Sequence, residues 1–157
     1  MLPDMPPMTV ADLEQVMAIE ADAYAHPWTR GNFVDSLAAG HLARIALDDS
    51  GQCIGYFVAM TGVGEMHLLN LTVAAQARRR GRATAMLRAL RGESRARGAR
   101  VMLLEVRQGN FAARRLYERF GFVQVGLRPS YYPDASGQRE DAVVMSLDLS
   151  GAADAVA

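Results

Sequence analysis

Residues 71 to 83 read Leu71-Thr72-Val73-Ala74-Ala75-Gln76-Ala77-Arg78-Arg79-Arg80-Gly81-Arg82-Ala83. An apolar strand-like run passes through a basic loop into the start of a helix. Just upstream, His67, Leu69 and Leu71 alternate with Leu68, Asn70 and Thr72, and both registers are largely apolar, as in a strand covered on both faces. Downstream, from Gly81 to Arg97, Ala85, Leu87, Ala89 and Leu90 form an apolar set among arginines, and Gly98 stands where a helix stop is expected. A doubly covered strand feeding a helix belongs to a sheet with helices on its faces. The junction also has a chemical character. Main-chain N–H groups at a helix start are unpaired and the helix dipole favours negative charge there. Gly81 and Ala83 are small enough for an anion to approach the main chain, successive loop N–H groups form a nest, and Arg78, Arg79 and Arg80 add charge-assisted donors. The stretch is neither a GxxxxGK[ST] phosphate loop nor a GxGxxG dinucleotide turn, and by itself it reads equally as an ordinary basic helix start.

Working outward, Thr9 can cap a helix over 10–24, and Thr29, after the break at His26-Pro27-Trp28, a second through about Leu37. Extended segments follow over about 41–48, 53–61 and 65–74, the first two joined by the turn Asp49-Ser50-Gly51-Gln52. Beyond Gly98, Val101 to Val106 reads as a strand, Asn110 caps a helix over 111–120 that Gly121 ends, and 122–132 and 140–149 form a last strand pair. The order α-α-β-β-β-α-β-α-β-β predicts an α/β domain with a mixed sheet over residues 1–150, and a frayed tail over 151–157.

The 157 residues suit one domain with a real core, and a 50% hydrophobic content excludes intrinsic disorder. A lone Cys53 forms no internal disulfide and reads as a small apolar core residue. No apolar run approaches the ~18–20 residues of a membrane-spanning helix. The start MLPDMPPMTV has neither the basic nor the apolar region of a secretory signal, so the reading is a soluble, cytoplasmic protein. Charge is balanced overall but unevenly placed. Residues 1–77 carry nine acids against Arg30 and Arg44, whereas 78–119 carry thirteen arginines against Glu93, Glu105 and Glu118. A basic middle suits an anionic ligand and an acidic front a cationic one, although solvated charged faces have the same composition. His26, His41, His67 and Cys53 have no metal-ligand spacing, so no metal is expected. No serine sits in a nucleophile elbow.

The densest stretch is Leu104-Glu105-Val106-Arg107-Gln108-Gly109-Asn110-Phe111-Ala112-Ala113-Arg114-Arg115-Leu116-Tyr117-Glu118-Arg119-Phe120-Gly121-Phe122. Read physically, Glu105 is an acid in an apolar β-run, where burial would raise its pKa toward a usable value; a salt bridge with Arg107 or Arg128 is the plainer alternative. Tyr117 is a phenol on the buried side of a helix, ordinarily a core residue. Asn110 is a helix cap.

Arg78-Arg79-Arg80-Gly81-Arg82-Ala83 resembles the R/Q-x-x-G-x-G/A pyrophosphate loop of the GNAT superfamily of N-acetyltransferases, with Arg82 where an aliphatic residue is common and Ala83 in place of the last glycine. Residues 104–122 resemble the LEVR-x-x-N-x-x-A-x-x-LY-x-x-x-GF signature of its RimI branch, which acetylates the N-terminal alanine of small-subunit ribosomal protein eighteen. Pro27-Trp28 before a hydroxyl residue, Tyr131-Tyr132-Pro133, and Arg139-Glu140-Asp141-Ala142 with Met145 match the same branch. The resemblance implies a GNAT fold: a mostly antiparallel sheet of six to seven strands, about four helices, and a splay between the central parallel strands. It further implies acetyl-CoA as co-substrate, bound by the loop Arg78, Arg79, Arg80, Gly81, Arg82, Ala83 and Thr84, by the main chain of Leu71, Thr72 and Val73, and by Asn110. The Val73 N–H is assigned as an oxyanion donor. Glu105 is implied as general base and Tyr117 as general acid. Such chemistry suits an N-terminal amine, whose pKa is ~7.7–8.0, and a phenol of pKa ~10 protonating a thiolate of ~8.5. The implied partner is a ribosomal protein N-terminus, with no nucleic acid or membrane. Two rivals differ in substrate: a transferase of the same fold acting on a free small amine or other N-termini, and, more distantly, an RNA-binding module using the nine arginines from Arg78 to Arg100.

Overall fold

The computed structural model describes residues 4–134 and 136–151. Among these, four α-helices, α1 (Leu13–Ala23), α2 (Arg30–Ala38), α3 (Arg82–Ala96) and α4 (Phe111–Phe120), pack on six strands. The strands are β1 (Leu42–Leu47), β2 (Cys53–Gly62), β3 (Glu65–Val73), β4 (Val101–Arg107), β5 (Val123–Pro133) and β6 (Arg139–Asp148). Their spatial order is β1-β2-β3-β4-β6-β5. Every neighbouring pair is antiparallel except β3 and β4, which α3 connects. Each expected element is present. Residues 152–157 of the expected tail lie outside the described residues. Among the described residues no helix is long and apolar enough to cross a membrane.

Local chemistry explains most boundaries. Thr29 accepts a bond from the Asn32 N–H while Asn32 Oδ1 accepts from the Thr29 N–H, a reciprocal cap at α2. Thr9 differs from expectation: its main-chain N–H and its hydroxyl both donate to Asp12 Oδ2, at 2.7 and 3.1 Å. The carboxylate takes the cap, and a short 3-10 turn, Val10–Asp12, precedes α1. Residues 4–8 lie along the outer edge of β1 through main-chain bonds such as Met8 N to Ala43 O and Leu47 N to Asp4 O, so that edge is covered.

Alternate residues of β2 feed two cores. Tyr56 and Val58 pack with Leu13, Val16 and Phe33 on the α1–α2 face. Phe57 and Ala59 pack with Leu87, Leu90 and Met145 on the opposite face. At Gly55 a Cβ would come within 2.7 Å of the Thr72 carbonyl oxygen, so glycine permits the close approach of β2 to β3 there.

The centre of the sheet departs from regularity in two coupled ways. The parallel ladder pairs Glu65 with Val101, Met66 with Met102, His67 with Leu103 and Leu68 with Leu104, then stops, although β3 continues to Val73 and β4 to Arg107. At the same level the β2–β3 register slips: Ala59 pairs with Leu68 but Val58 pairs with Asn70, leaving Leu69 as the extra residue. The unbroken alternation expected through 65–74 therefore inverts. Met66 and Leu68 face the α3–α4 core, and after the bulge Leu71 and Val73 do so, while Asn70 and Thr72 turn toward α1.

Candidate active site

Where β3 and β4 part, a cleft of about 590 Å³ opens, lined by residues that include Tyr24, Leu71, Glu105, Asn110, Tyr117 and Tyr132. The main chain of β3 forms one wall. The Ala74 N–H bonds Ile54 O on β2, and antiparallel residues direct both main-chain groups to alternate sides. Leu71 and Val73 therefore aim theirs at the open edge, away from β2, while those of Thr72 go to the β2 ladder. The Tyr24 hydroxyl lies 3.4 Å from the Leu71 carbonyl, and Arg78 Nε donates to Val73 O at 3.1 Å. The Thr72 side chain bonds Asn70 Oδ1 at 2.7 Å and Tyr24 at 2.7 Å, so this residue belongs to the α1 side of the strand.

The loop beyond β3 is built for an anion. Arg78, Arg79 and Arg80 are exposed, and Arg79 and Gly81 hold left-handed φ values of 64° and 73°. Gly81 leads into α3 with no side-chain cap, and the first helical bond is Ala85 N to Gly81 O. The N–H groups of Arg82, Ala83 and Thr84 thus have no helical acceptor. Orphan amides, a basic loop and an open strand edge in sequence fit the diphosphate and the amide-bearing arm of a coenzyme A thioester. The Arg82 charge also reaches Asp48 and, after the stronger Ser50 and Gln52 hydrogen bonds, helps hold it below the usual carboxylate range.

Glu105 lies mid-β4 with its side chain only 10% exposed. Its Oε2 stands 2.5 Å from His67 Nε2 on β3, and its Oε1 3.6 Å from Arg128 Nη2 on β5. The His67 hydrogen bond holds the carboxyl below its ordinary range, outweighing desolvation, with further help from the His67 and Arg128 charges. The expected upward shift by burial is therefore reversed, because two nitrogenous partners meet the carboxylate. Of the two arginines considered, Arg128 is the partner; Arg107 instead pairs with Glu140 at 3.4 Å and donates to Pro133 O.

Tyr117 enters from the other side, on α4. Asn110 caps this helix by accepting the Ala113 N–H at 3.2 Å. The Tyr117 ring packs edge-on against Phe122, and its hydroxyl makes no hydrogen bond among the described residues. Burial, then the neighbouring Tyr24 and Tyr132 hydroxyls, push it above the ordinary phenol range, so it stays protonated at neutral pH. Tyr132, pushed up to about 12 chiefly by burial, stacks against Arg107.

The Arg139-Glu140-Asp141 run builds the far wall. Glu140 Oε2 accepts the Gly109 N–H at 2.7 Å, fixing the turn from β4 into α4. Arg139 donates to the carbonyls of Ser130 and Tyr131, and Asp141 accepts the Ser130 N–H. These bonds hold the bulge between Arg128 and Tyr132, with Ser130 at φ 54°, and set Tyr132 in the cleft.

Two residues important to this geometry escape a reading of the sequence as a functional pattern. Glu20, 1% exposed, accepts from Tyr56 at 2.6 Å, Asn70 Nδ2 at 3.0 Å and the Trp28 N–H at 2.9 Å. Asn70 in turn bonds Thr72, which bonds Tyr24, so a buried carboxylate organises the α1 side of the open edge. Its signal was positional: Glu20 continues the buried Leu13–Val16 stripe of α1. His67, one of three histidines without metal-ligand spacing, is the partner of Glu105. Only the β3–β4 register brings these two together across 38 residues.

Comparison with known proteins places this geometry. The profile of the Acetyltransferase (GNAT) family matches residues 13–122. The [Ribosomal protein bS18]-alanine N-acetyltransferase of Haemophilus ducreyi is 35% identical, covering 88% of this chain and 94% of the relative. That of Escherichia coli K12 is 34% identical over 91% and 95% of the two chains. The crystal structure of the ribosomal-protein-S18-alanine N-acetyltransferase from Escherichia coli superposes with a TM-score of 0.87 at 31% identity, covering 99% of both chains.

Proposed function

The chain belongs to the acetyltransferase (GNAT) family, and we propose that Glu105 and Tyr117 are its general base and general acid. It transfers the acetyl group of acetyl-CoA to the N-terminal alanine of ribosomal protein bS18. The observation that carries the residue assignment is geometric: a carboxylate from β4 and a phenol from α4 line one cleft beside an open strand edge. In this reading residues 1–150 are the transferase unit, and a ribosomal substrate favours the cytoplasm as its working compartment.

When bound, acetyl-CoA supplies an acetyl group activated as a thioester. The orphan amides of Arg82, Ala83 and Thr84 and the loop arginines hold its diphosphate, Leu71 and Val73 offer main-chain partners to its amide arm, and Asn110 borders the path. The Val73 N–H points to the open edge, where it donates to the oxygen that gains charge during attack. An N-terminal amine with pKa ~7.7–8.0 arrives largely protonated and must lose a proton before it attacks. Glu105, ionised at neutral pH, takes that proton directly or through a water and gives it to solvent. As the C–N bond forms and the C–S bond breaks, Tyr117, still carrying its proton and otherwise unengaged, delivers it to the departing sulfur. The second proton of the acylated nitrogen returns to the phenol through solvent, so one proton is released per turnover. The acidic residues of the first half of the chain favour a basic substrate protein.

The test is mass spectrometry of peptides incubated with acetyl-CoA. An Ala-initiated bS18 peptide gains one acetyl group on its terminus, whereas the same peptide with a blocked terminus, and free lysine, gain none. Preferential acetylation of the free small amine would instead favour a small-molecule transferase. Glu105→Gln and Tyr117→Phe each lower kcat by ~10²–10⁴ while the Kd for acetyl-CoA stays within about threefold. Wild-type turnover in both variants overturns the assignment.

A further inference from the structure

The base of this site is not a solitary carboxylate. His67 stands on the last closed part of the fork, in register with Leu103, and Glu105 is the first residue of β4 beyond the final ladder pair Leu68–Leu104. The 2.5 Å contact between Nε2 and Oε2 therefore continues by side chains a connection that the main chains give up. Glu105 lines the cleft; His67 does not, and its side chain is 26% exposed, open to protons from solvent.

We infer that His67 is the positioning residue that sets how strongly Glu105 accepts a proton. A neutral imidazole orients the carboxylate through one neutral hydrogen bond and leaves it a serviceable base. An imidazolium at the same distance adds a full positive charge beside that oxygen and makes proton acceptance much less favourable. The imidazole beside Glu105 Oε2 thereby sets where on the pH scale turnover is lost.

The surroundings limit what else can produce this effect. From β5, Arg128 faces Glu105 Oε1 at 3.6 Å and Tyr132 lies close enough to feel its charge. Arg128 stays charged, and Tyr132, pushed up to about 12, stays neutral through the working range. Beside His67 the register places Met60 of β2 and Leu103 of β4, neither of which titrates. Of the groups facing the pair, His67 is the one within hydrogen-bond distance of the Glu105 carboxylate.

The inference rests on Glu105 being the base, and the experiment separates the two. The readout is log kcat against pH at saturating acetyl-CoA and peptide, for wild type, His67→Gln and Glu105→Gln. The amine binds with its proton and gives it to Glu105, so the acid limb falls where the Glu105 carboxylate itself takes up a proton. In wild type the His67 contact holds that carboxyl low, and the limb is expected at correspondingly low pH. His67→Gln keeps an N–H donor toward Glu105 but removes the imidazole: its kcat at alkaline pH stays within about tenfold of wild type, and its acid limb moves to higher pH by roughly half a unit or more. His67→Thr serves if the glutamine variant does not fold, with the same expected shift. An acid limb at the wild-type position in a folded His67 variant overturns the inference while leaving the base assignment intact. Wild-type turnover in Glu105→Gln removes the base assignment itself, and the inference with it.

Discussion

The two halves of β3 carry similar residues and live in different worlds. From Glu65 to Leu68 the strand is paired on both edges, and Met66 and Leu68 bury apolar side chains on the α3–α4 face. From Asn70 to Val73 it is paired on one edge, with the other turned into a cleft, and its α1-facing side chains belong to a polar network rooted in Glu20. Unpaired main-chain groups are costly unless something meets them. Here the Tyr24 hydroxyl approaches one carbonyl and Arg78 donates to another, and the open amides remain for a ligand. The site exists where the ladder fails, and Leu69 marks the place.

Removing Leu69 tests that contrast most severely. Its deletion restores even alternation with Leu68, Leu71 and Val73 still on the α3–α4 face and Asn70 and Thr72 still toward α1. It removes the bulge and the kink it puts in the open edge without exchanging the two faces. The shortened protein is expected to keep a cooperative urea transition but to lose roughly 10²-fold in kcat/KM as the open edge is reshaped. Wild-type kcat/KM would show that the bulge does not shape the site.

A smaller break comes from Glu20→Leu, which keeps volume but leaves the Tyr56 hydroxyl, the Asn70 amide and the Trp28 N–H without their acceptor. Stability in urea should fall by about 3 kcal/mol, with lowered acetyl-CoA affinity as Thr72 and Tyr24 lose their order. Unchanged stability would mean the network is ornamental to the fold.

The smallest effect concerns pH. The folded-state pKa of Glu105 is lowered, first by the His67 hydrogen bond and then by charge, so the group contributes stability above its unfolded pKa and loses it as pH falls through the lower folded value. The difference in Tm between wild type and Glu105→Gln should favour wild type near neutrality and shrink on acidification to about pH 3. A difference independent of pH would show that the pair does not hold the carboxyl low in solution.

Much of this was legible beforehand because it is local. Thr29, Asn110, Gly98 and Gly121 signal helix ends within a turn of themselves, and the anion-suited chemistry of the basic loop before Ala83 shows in its residue types alone. Glu105 and Tyr117 came from a motif, and both line the cleft. The direction of the Glu105 shift was misjudged for a definite reason: burial is visible in an apolar run, but a partner from another strand is not. His67 could be read as neither ligand nor partner until β3 and β4 were aligned. Glu20 offered only the hint that an acid occupied a helix position otherwise reserved for the core.

Periodicity, capping and motif spacing act over a few residues, so the sequence alone determined the order of elements, the ends of most helices and the chemical family of the site. Register is a long-range quantity: one extra residue at Leu69 inverts a strand, and the end of a four-pair ladder decides where a cleft opens. Only the tertiary structure could decide which face Asn70 and Thr72 meet, and which histidine stands beside Glu105. Those contacts depend on the summed packing of segments far apart in the chain.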